Sequence, residues 1–186
     1  MALGRGELLV VDGDVTSIAV DGIVSNDDVD GRMYTVIASS IKVAAGADVE
    51  RQSIAQGPFP RGEAWFTDAG ALPPPITGII HVAAMDRRGN TDVDTIVKCI
   101  ESALEEARKQ HLTSLAIAAF GTGPRGSGPK LIDLPEWLAV VGKTIVSRLN
   151  SWEPEDRGTE LAVLIVLYEP ADFDAALDIL TRSVDG

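Results

Sequence analysis

The stretch Ser114-Leu-Ala-Ile-Ala-Ala-Phe120, followed by Gly121-Thr-Gly-Pro-Arg-Gly126, is the most informative feature of this chain. Its first half is an apolar strand, and its second half is a glycine-rich loop that leads towards a helix. Glycines let a backbone approach an anion closely, and the N–H groups of such a loop and of the helix start face that anion. The stretch therefore predicts a strand–loop–helix unit that can hold a phosphate, with an ordinary glycine-rich turn as the alternative.

Residues 121–126 also match the dinucleotide-binding pattern G-x-G-x-x-G. A Rossmann domain places this pattern after its first strand and needs an acidic residue about 20 positions later, at a strand end. Here that position falls inside a predicted helix, and Glu169 is the nearest acidic residue that ends a strand. A Walker loop does not fit either, because Gly128-Pro-Lys130 lacks the Gly-Lys-Ser/Thr ending. The pattern alone therefore does not predict a nicotinamide, flavin or Walker-type site.

Composition limits the classes of function. The 186 residues are 45% hydrophobic and 24% charged, which predicts one domain over 1–186 with a proper core. The formal net charge of −12, without a Lys/Arg run, disfavours nucleic acid as a partner, so an anionic ligand would be held by backbone dipoles. No apolar run is long enough for a membrane span or resembles a signal peptide, so we expect a cytoplasmic protein. The single cysteine, Cys99, fits the buried face of a helix, and we expect no disulfide.

Short apolar runs alternate with helical periodicity, which is typical of an α/β fold with a largely parallel sheet. The predicted strands cover residues 7–11, 22–24, 63–67, 78–83, 114–120 and 160–168. The predicted helices cover residues 34–45, 92–110, 134–149 and 171–183, and a polar loop covers 150–159. Gly46 is expected to stop the first helix, since glycine is the usual residue after a helix end.

Several short segments follow one another in the order and spacing of a known family. They are Gly13-Asp-Val-Thr16, Val20-Asp-Gly-Ile-Val24, Ile79-Ile-His-Val82, residues 116–126 and Leu164-Ile-Val-Leu-Tyr168. In these segments the chain resembles a macro domain, the α/β/α module that binds ADP-ribose, over nearly its full length. The resemblance implies a three-layer α/β/α sandwich with a mixed, largely parallel central sheet. It also implies ADP-ribose, or an ADP-ribosylated molecule, as the ligand, and no required cofactor.

The resemblance assigns roles to residues of this sequence. Asp14, with Val15 beside it, is expected to accept a hydrogen bond from the adenine amine, and Tyr168 to stack on the adenine. The diphosphate would be wrapped by Gly121, Thr122, Gly123, Pro124, Arg125 and Gly126. Structural alternatives stay open: Asp14 could cap a local turn with Thr16, Tyr168 could be a half-buried core residue, and Arg125 could point into solvent.

The first binding loop departs from the family pattern of Asn-Ala-Ala-Asn, a leucine and three glycines. This chain has Ser25-Asn-Asp-Asp28-Val-Asp-Gly-Arg-Met-Tyr-Thr35-Val-Ile. A subset of bacterial macro domains carries Ser-Ser-Asp-Asp here, so Ser25, Asn26 and Asp27 are predicted ligand contacts, together with Thr35 and Val36. Only Gly31 remains of the glycines, and Met33, Tyr34, Thr35 and Val36 are expected to bring side chains into the distal ribose space.

Asp28 occupies the position nearest to the asparagine that orients ribose and water in hydrolytic members, and an aspartate there could act as a general base. Asp27, Asp28 and Asp30 together would repel a diphosphate unless a cation or raised pKa values intervened. A solvated acidic loop is the alternative, and a magnesium site is conceivable, although no metal is predicted. His81 is expected in the core, because the two histidines of the chain do not form a zinc pattern.

Three functions therefore remain, and binding is preferred over catalysis. The first is recognition of ADP-ribose or a related adenine nucleotide. The second is a degenerate macro fold that binds a protein partner and no nucleotide. The third is an ADP-ribosyl hydrolase that depends on Asp28. These functions can be distinguished by whether the crevice beside residues 121–126 is open or is filled by Met33 and Tyr34.

Overall fold

The computed structural model describes residues 2–3, 6–123, 132–152, 160–169, 176 and 179–180. These residues contain seven strands: β1 (Ala2–Leu3), β2 (Gly6–Asp12), β3 (Gly22–Asp28), β4 (Ala64–Asp68), β5 (Gly78–Met85), β6 (Ser114–Ala118) and β7 (Leu161–Leu167). They also contain the helices α1 (Val36–Ala45), α2 (Asp48–Gln56), α3 (Val93–Lys109) and α4 (Leu134–Ser151).

All seven strands form one sheet, in the order β1-β2-β7-β6-β3-β5-β4. The five inner strands are parallel to their neighbours, and the two edge strands, β1 and β4, are antiparallel. The predicted mixed, largely parallel sheet is confirmed. Because the inner strands share one direction, their carboxyl ends meet at the same edge of the sheet, which is where ligands bind in open α/β folds.

Two hydrophobic cores lie on opposite faces of the sheet. Ile100 of α3 and Ile145 of α4 belong to one core, and Ile41 of α1 belongs to the other. The neighbours Ile79 and Ile80 of β5 are divided between the two cores, as the alternation of side chains along a strand requires. The predicted three-layer α/β/α sandwich is therefore confirmed.

Local capping explains where the helices begin and end. The Thr35 hydroxyl accepts the N–H of Ala38, which starts α1, and Gly46 at a φ of 93° ends it as predicted. Asp92 starts α3 in the same way, by accepting the N–H of Thr95 at 2.7 Å. Within the described residues, no helix combines the length and apolar character that crossing a membrane requires.

Other elements differ from the prediction. Helix α2 and the short strand β1 were not predicted, and β3 extends four residues beyond the predicted end at residue 24. The prediction of a helix over 171–183 lies largely outside the described residues, although Ala176 and Leu180 are helical and belong to the same core as α3 and α4. The polar loop predicted over 150–159 begins later, because α4 includes residues 150 and 151. Residues 153–159 of that loop lie outside the described part of the chain.

A buried polar network lies at the carboxyl end of β3. The Asp27 carboxylate accepts a hydrogen bond from the Ser25 hydroxyl at 2.6 Å, and its Oδ2 lies 2.7 Å from Nδ1 of His81 on β5. Nε2 of His81 lies 2.8 Å from the Thr67 hydroxyl on β4. All four residues are buried. A buried carboxylate is costly unless it is paired and hydrogen bonded, and both oxygens of Asp27 have partners here.

The network continues into α2 through Ser53. Nε1 of Trp65 donates to the Ser53 oxygen at 3.0 Å, and the Ser53 hydroxyl donates to the carbonyl of Gly31 at 2.9 Å. Gly31 has a φ of 77°, and a Cβ there would lie 2.6 Å from the Ser53 oxygen. The glycine at position 31 is therefore required by the close packing of this segment on α2.

Asp21 fastens the opposite, amino-terminal end of three strands. Its carboxylate accepts hydrogen bonds from the Thr113 N–H at 2.7 Å, the Thr113 hydroxyl at 2.6 Å and the Ser114 N–H at 3.2 Å. Its carbonyl accepts the N–H of Thr77 at 2.7 Å. Burial acts to raise the pKa of Asp21, but the hydrogen bonds from Thr113 and Ser114 outweigh burial and lower it.

We expect Asp27→Ala to lower the free energy of unfolding by about 3–5 kcal/mol, because it leaves the His81 imidazole buried without its carboxylate partner. Urea unfolding measures the loss. Asp30→Ala is the control, because Asp30 is a partly exposed carboxylate of the same loop that pairs with Arg87 outside the buried network. A loss from Asp27→Ala no larger than that from Asp30→Ala would contradict the importance of the network.

We expect the effect of Asp21→Ala on stability to depend on pH. Since folding lowers the pKa of Asp21, its contribution is complete above the ordinary carboxyl value of about 3.9 and is lost as the pH falls through the lowered value. The melting temperature of the variant should therefore lie below that of the unmodified protein at neutral pH, and the gap should shrink in acid. Thermal melts over a pH series, with the exposed Glu101→Ala variant as control, test this; a gap independent of pH would contradict it.

Candidate functional site

A cleft of about 720 Å³ opens at the carboxyl ends of the parallel strands. The hydrogen-bonded pairing of β3 with β6 covers only their first residues, up to Ile23 opposite Ala116, and the cleft lies beyond that point. The described residues that line it are Asn26, Tyr34, Thr35, Val36, Ile37, Met85, Arg88, Gly89, Asn90, Thr91, Ala119, Phe120, Gly121, Thr122 and Gly123. Loops after three neighbouring strands and the start of α1 therefore surround one open space.

The glycine loop forms one wall of the cleft. Gly121 has a φ of 84°, and the Thr122 hydroxyl donates to the carbonyl of Ala119 at 2.9 Å, which holds the loop against the end of β6. A Cβ added at Gly123 would have no atom of another described residue within 4 Å, so among these residues the backbone there borders open space. Of the predicted diphosphate loop, Pro124, Arg125 and Gly126 lie outside the described residues.

Asn26 and Thr35 meet at the start of α1. The Thr35 hydroxyl lies 3.3 Å from the carbonyl oxygen of Asn26 and 3.2 Å from its side-chain oxygen. The described residues provide no acceptor for the Asn26 amide nitrogen, which leaves a donor beside the cleft. The amino end of α1 adds the positive end of a helix dipole. The structure thus brings the predicted ligand contacts Asn26 and Thr35 together, and the third, Val36, is exposed next to Thr35.

The opposite wall is the turn after β5, which sequence reasoning missed. The Asp86 carboxylate accepts the N–H groups of Arg88 at 2.8 Å and Asn90 at 2.9 Å, and the Asn90 amide at 3.0 Å. Hydrogen bonds from Asn90 lower the pKa of Asp86. The sequence signal was the turn-forming Asp86-Arg-Arg-Gly-Asn90 placed directly after a buried strand, at the sheet edge where ligands bind.

Met33 does not enter the cleft, so that part of the prediction was wrong. Its side chain is fully buried in the core with Ile41 and Val49, and its N–H donates to Oε1 of Glu50 at 2.8 Å. Tyr34 does line the cleft and is 48% exposed. Burial, together with the nearby Asp28 and Asp86 charges, raises the pKa of the Tyr34 phenol. The crevice is therefore open, with Tyr34 on one side.

The three carboxylates of the first loop have separate protein partners. Asp27 belongs to the buried network, together with Ser25. Oδ1 of Asp28, a residue only 1% exposed, accepts the N–H groups of Asp30 and Arg32, each at 2.9 Å. The hydrogen bond from Arg87 lowers the pKa of Asp30.

The expectation of a solvated acidic loop is therefore wrong for Asp27 and Asp28, which are buried. Within the described part of the chain, no three His, Cys, Asp or Glu side chains are grouped so as to hold a metal ion. The role of Asp28 as a catalytic base stays a prediction, as does ligand contact by Ser25 and Asp27.

The predicted adenine contacts lie at the ends of two paired strands. Asp14 follows β2 and Tyr168 follows β7, and the N–H of Gly13 donates to the carbonyl of Leu167 at 2.9 Å. Oδ1 of Asp14 accepts the Thr16 N–H at 2.9 Å and the Thr16 hydroxyl at 2.8 Å, so Asp14 does cap a local turn.

The other residues at this end differ in exposure. Tyr168 is 77% exposed, which disagrees with the alternative of a half-buried core residue. The Val15 side chain is buried in the core beneath α1. Asp14, Val15 and Tyr168 therefore lie at the same edge of the sheet as the cleft but do not belong to the residues that line it.

Comparison with known proteins places this geometry in a family. An uncharacterized Aquifex aeolicus protein is 30% identical over 150 residues, which are 80% of this chain and 84% of the relative. An uncharacterized Mycobacterium tuberculosis protein is 34% identical over 120 residues, which are 64% of this chain and 33% of the relative. The chain thus spans about a third of that relative's length.

Solved structures share the fold. A macrodomain of Oceanobacillus iheyensis with ADP superposes with a TM-score of 0.79 at 21% identity, over 100% of this chain and 95% of the other. A variant of that macrodomain, solved with ADPR, gives a TM-score of 0.80 at 21% identity, over 100% and 98% of the two chains. Residues 28–130, more than half of the sequence, match the model of the Macro domain family. The chain therefore belongs to the Macro domain family.

Proposed function

We propose that this protein recognises ADP-ribose or a related adenine nucleotide in the cleft at the carboxyl end of its sheet. The observation that carries the proposal is the open cleft of about 720 Å³ between the glycine loop and the start of α1. A glycine-lined wall and a helix amino terminus together favour a phosphate. The macrodomain structures solved with ADP and with ADPR support the same ligand class.

The proposed ligand runs across the strand ends. Its adenine lies near Asp14 and Tyr168, its diphosphate along Gly121–Gly123, and its distal ribose towards Asn26 and Thr35. Oδ2 of Asp14 has no protein partner among the described residues, so it can accept the adenine amine while Oδ1 holds the turn. The exposed Tyr168 ring can stack on the base, a contact worth about 1–3 kcal/mol.

Charge near the cleft also fits an anionic ligand, although the chain has a net charge of −12. Arg88 is the single cationic side chain among the described lining residues, and the structure shows no ion pair between it and another described residue. Its neighbour Arg87 differs, because it forms a salt bridge with Asp30. Arg88 therefore offers a charge at the rim of the cleft.

We expect micromolar binding of ADP-ribose, about −8 kcal/mol, in a calorimetric titration. Asp14→Asn should weaken it about tenfold or more, because the amide can still hold the turn through its oxygen but presents a donor to the adenine amine. The hypoxanthine analogue of ADP-ribose, which carries a carbonyl in place of the amine, should lose less affinity than ADP-ribose in this variant. Asp68→Asn, at the far edge strand, is the matched control.

The outcomes separate the functions that the sequence left open. No heat with ADP-ribose, ADP or AMP would overturn the proposal and favour the protein-binding alternative. Binding that is equally strong in Asp14→Asn would remove Asp14 from the site and leave the cleft itself as the site. Turnover of an ADP-ribosyl ester that is lost in Asp28→Asn would add hydrolysis to recognition.

We also expect Arg88→Ala to weaken ADP-ribose binding about three- to tenfold at low salt, with a smaller effect at high salt, because an exposed charge is screened. Titrations at two salt concentrations measure the difference. Arg51→Ala on α2 is the control, since Arg51 is exposed but does not line the cleft. An effect of Arg88→Ala no larger than that of Arg51→Ala would show that the rim charge does not contribute.

A further inference from the structure

Tyr34 stands between two of the loops that surround the cleft. It belongs to the segment between β3 and α1, and its hydroxyl lies 3.9 Å from the position that a Cβ on Gly89 would occupy. Gly89 belongs to the turn after β5 and also lines the cleft. The phenol therefore extends from one loop to the other across the end of the cleft that lies away from Asp14.

The Tyr34 ring is not part of the packed interior. The ring is about half exposed and lies outside both hydrophobic cores, although Met33 beside it is buried completely. The described residues provide no hydrogen-bond partner for its hydroxyl. The core therefore does not need this ring, and a glycine or alanine at position 34 would remove a cleft wall without creating a cavity.

We infer that Tyr34 determines specificity by closing the distal end of the cleft, so that the site accepts ADP-ribose with an unsubstituted distal ribose and disfavours ligands that carry a ring on its anomeric carbon. This inference rests on the proposed function and on its ligand orientation. In that orientation, a group on the anomeric carbon points towards the space between the Tyr34 hydroxyl and Gly89. A steric clash built against one ligand is a common means of discrimination.

Three small molecules isolate this effect. ADP lacks the distal ribose, ADP-ribose has it with a free anomeric hydroxyl, and NAD+ carries a nicotinamide ring on the same carbon. We expect the unmodified protein to bind ADP-ribose at least about tenfold more tightly than NAD+, since steric differences in a pocket give factors of this size. Tyr34→Gly should reduce that ratio at least about threefold by improving NAD+ binding, with little change for ADP.

Two control variants keep the test specific. Tyr34→Phe keeps the ring and removes only the hydroxyl that lies nearest Gly89, so it should reduce the ratio of the two affinities less than Tyr34→Gly does. Val43→Ala shortens an exposed side chain on α1 that does not line the cleft, and it should leave the ratio unchanged. Tyr34→Ala also removes the ring but adds less backbone freedom than Tyr34→Gly. Thermal melts verify that each variant is folded.

The outcomes distinguish this inference from the proposed function. If the unmodified protein binds ADP-ribose but Tyr34→Gly and Tyr34→Ala leave its preference over NAD+ unchanged, the inference is overturned and the proposed function stands. The same holds if the two variants change the affinities for all three ligands by one factor. If the unmodified protein binds none of the three, the proposed function and the inference fail together.

Discussion

The buried pair of Asp27 and His81 is the interaction on which the end of the sheet that borders the cleft depends. It lets β3 remain a strand through four polar residues, because Ser25 and Asp27 find their partners on one face of the sheet. Side chains alternate along a strand, so Asn26 is directed away from these partners and meets Thr35 beside the cleft. A shift of one residue would exchange the two faces, so the pair fixes the register that places Asn26.

The same constraint explains the altered first loop. Gly31, the one glycine that remains, packs against Ser53 and is used by the fold, and Met33 fills the core beneath α1. The irregular register between β3 and β5 at Asp27 and Asp28 marks the point where the strand bends into this loop. Of the side chains that replace the family's glycines, Tyr34 and Thr35 are therefore left to shape the cleft, together with the exposed Val36.

Periodicity predicted most of the fold from the sequence, but it could not reveal the network. The apolar periodicity and the helix stop at Gly46 are local signals, and they placed most of the strands and helices to within a few residues. Asp27 appeared to be solvated because its partner lies 54 residues away in sequence. Helix α2 was missed for a related reason: it buries only Val49 and Ser53, so it lacks an apolar stripe that the sequence could show. The turn with Arg88 could have been found, since it follows a buried strand.

An acidic chain can offer a site for an anion because the three carboxylates of its first loop already have partners in the protein. Asp27 is held by a hydroxyl and an imidazole, Asp28 by two backbone N–H groups, and Asp30 by the Arg87 guanidinium. The number of acidic residues in the loop therefore overstates the repulsion that a diphosphate would meet. Local dipoles act over a few ångströms, whereas the charges spread over the remaining surface are screened within about 10 Å at ordinary salt. The electrostatic field at the cleft is then set by the glycine loop, the start of α1 and Arg88. The net charge of the chain has little influence there.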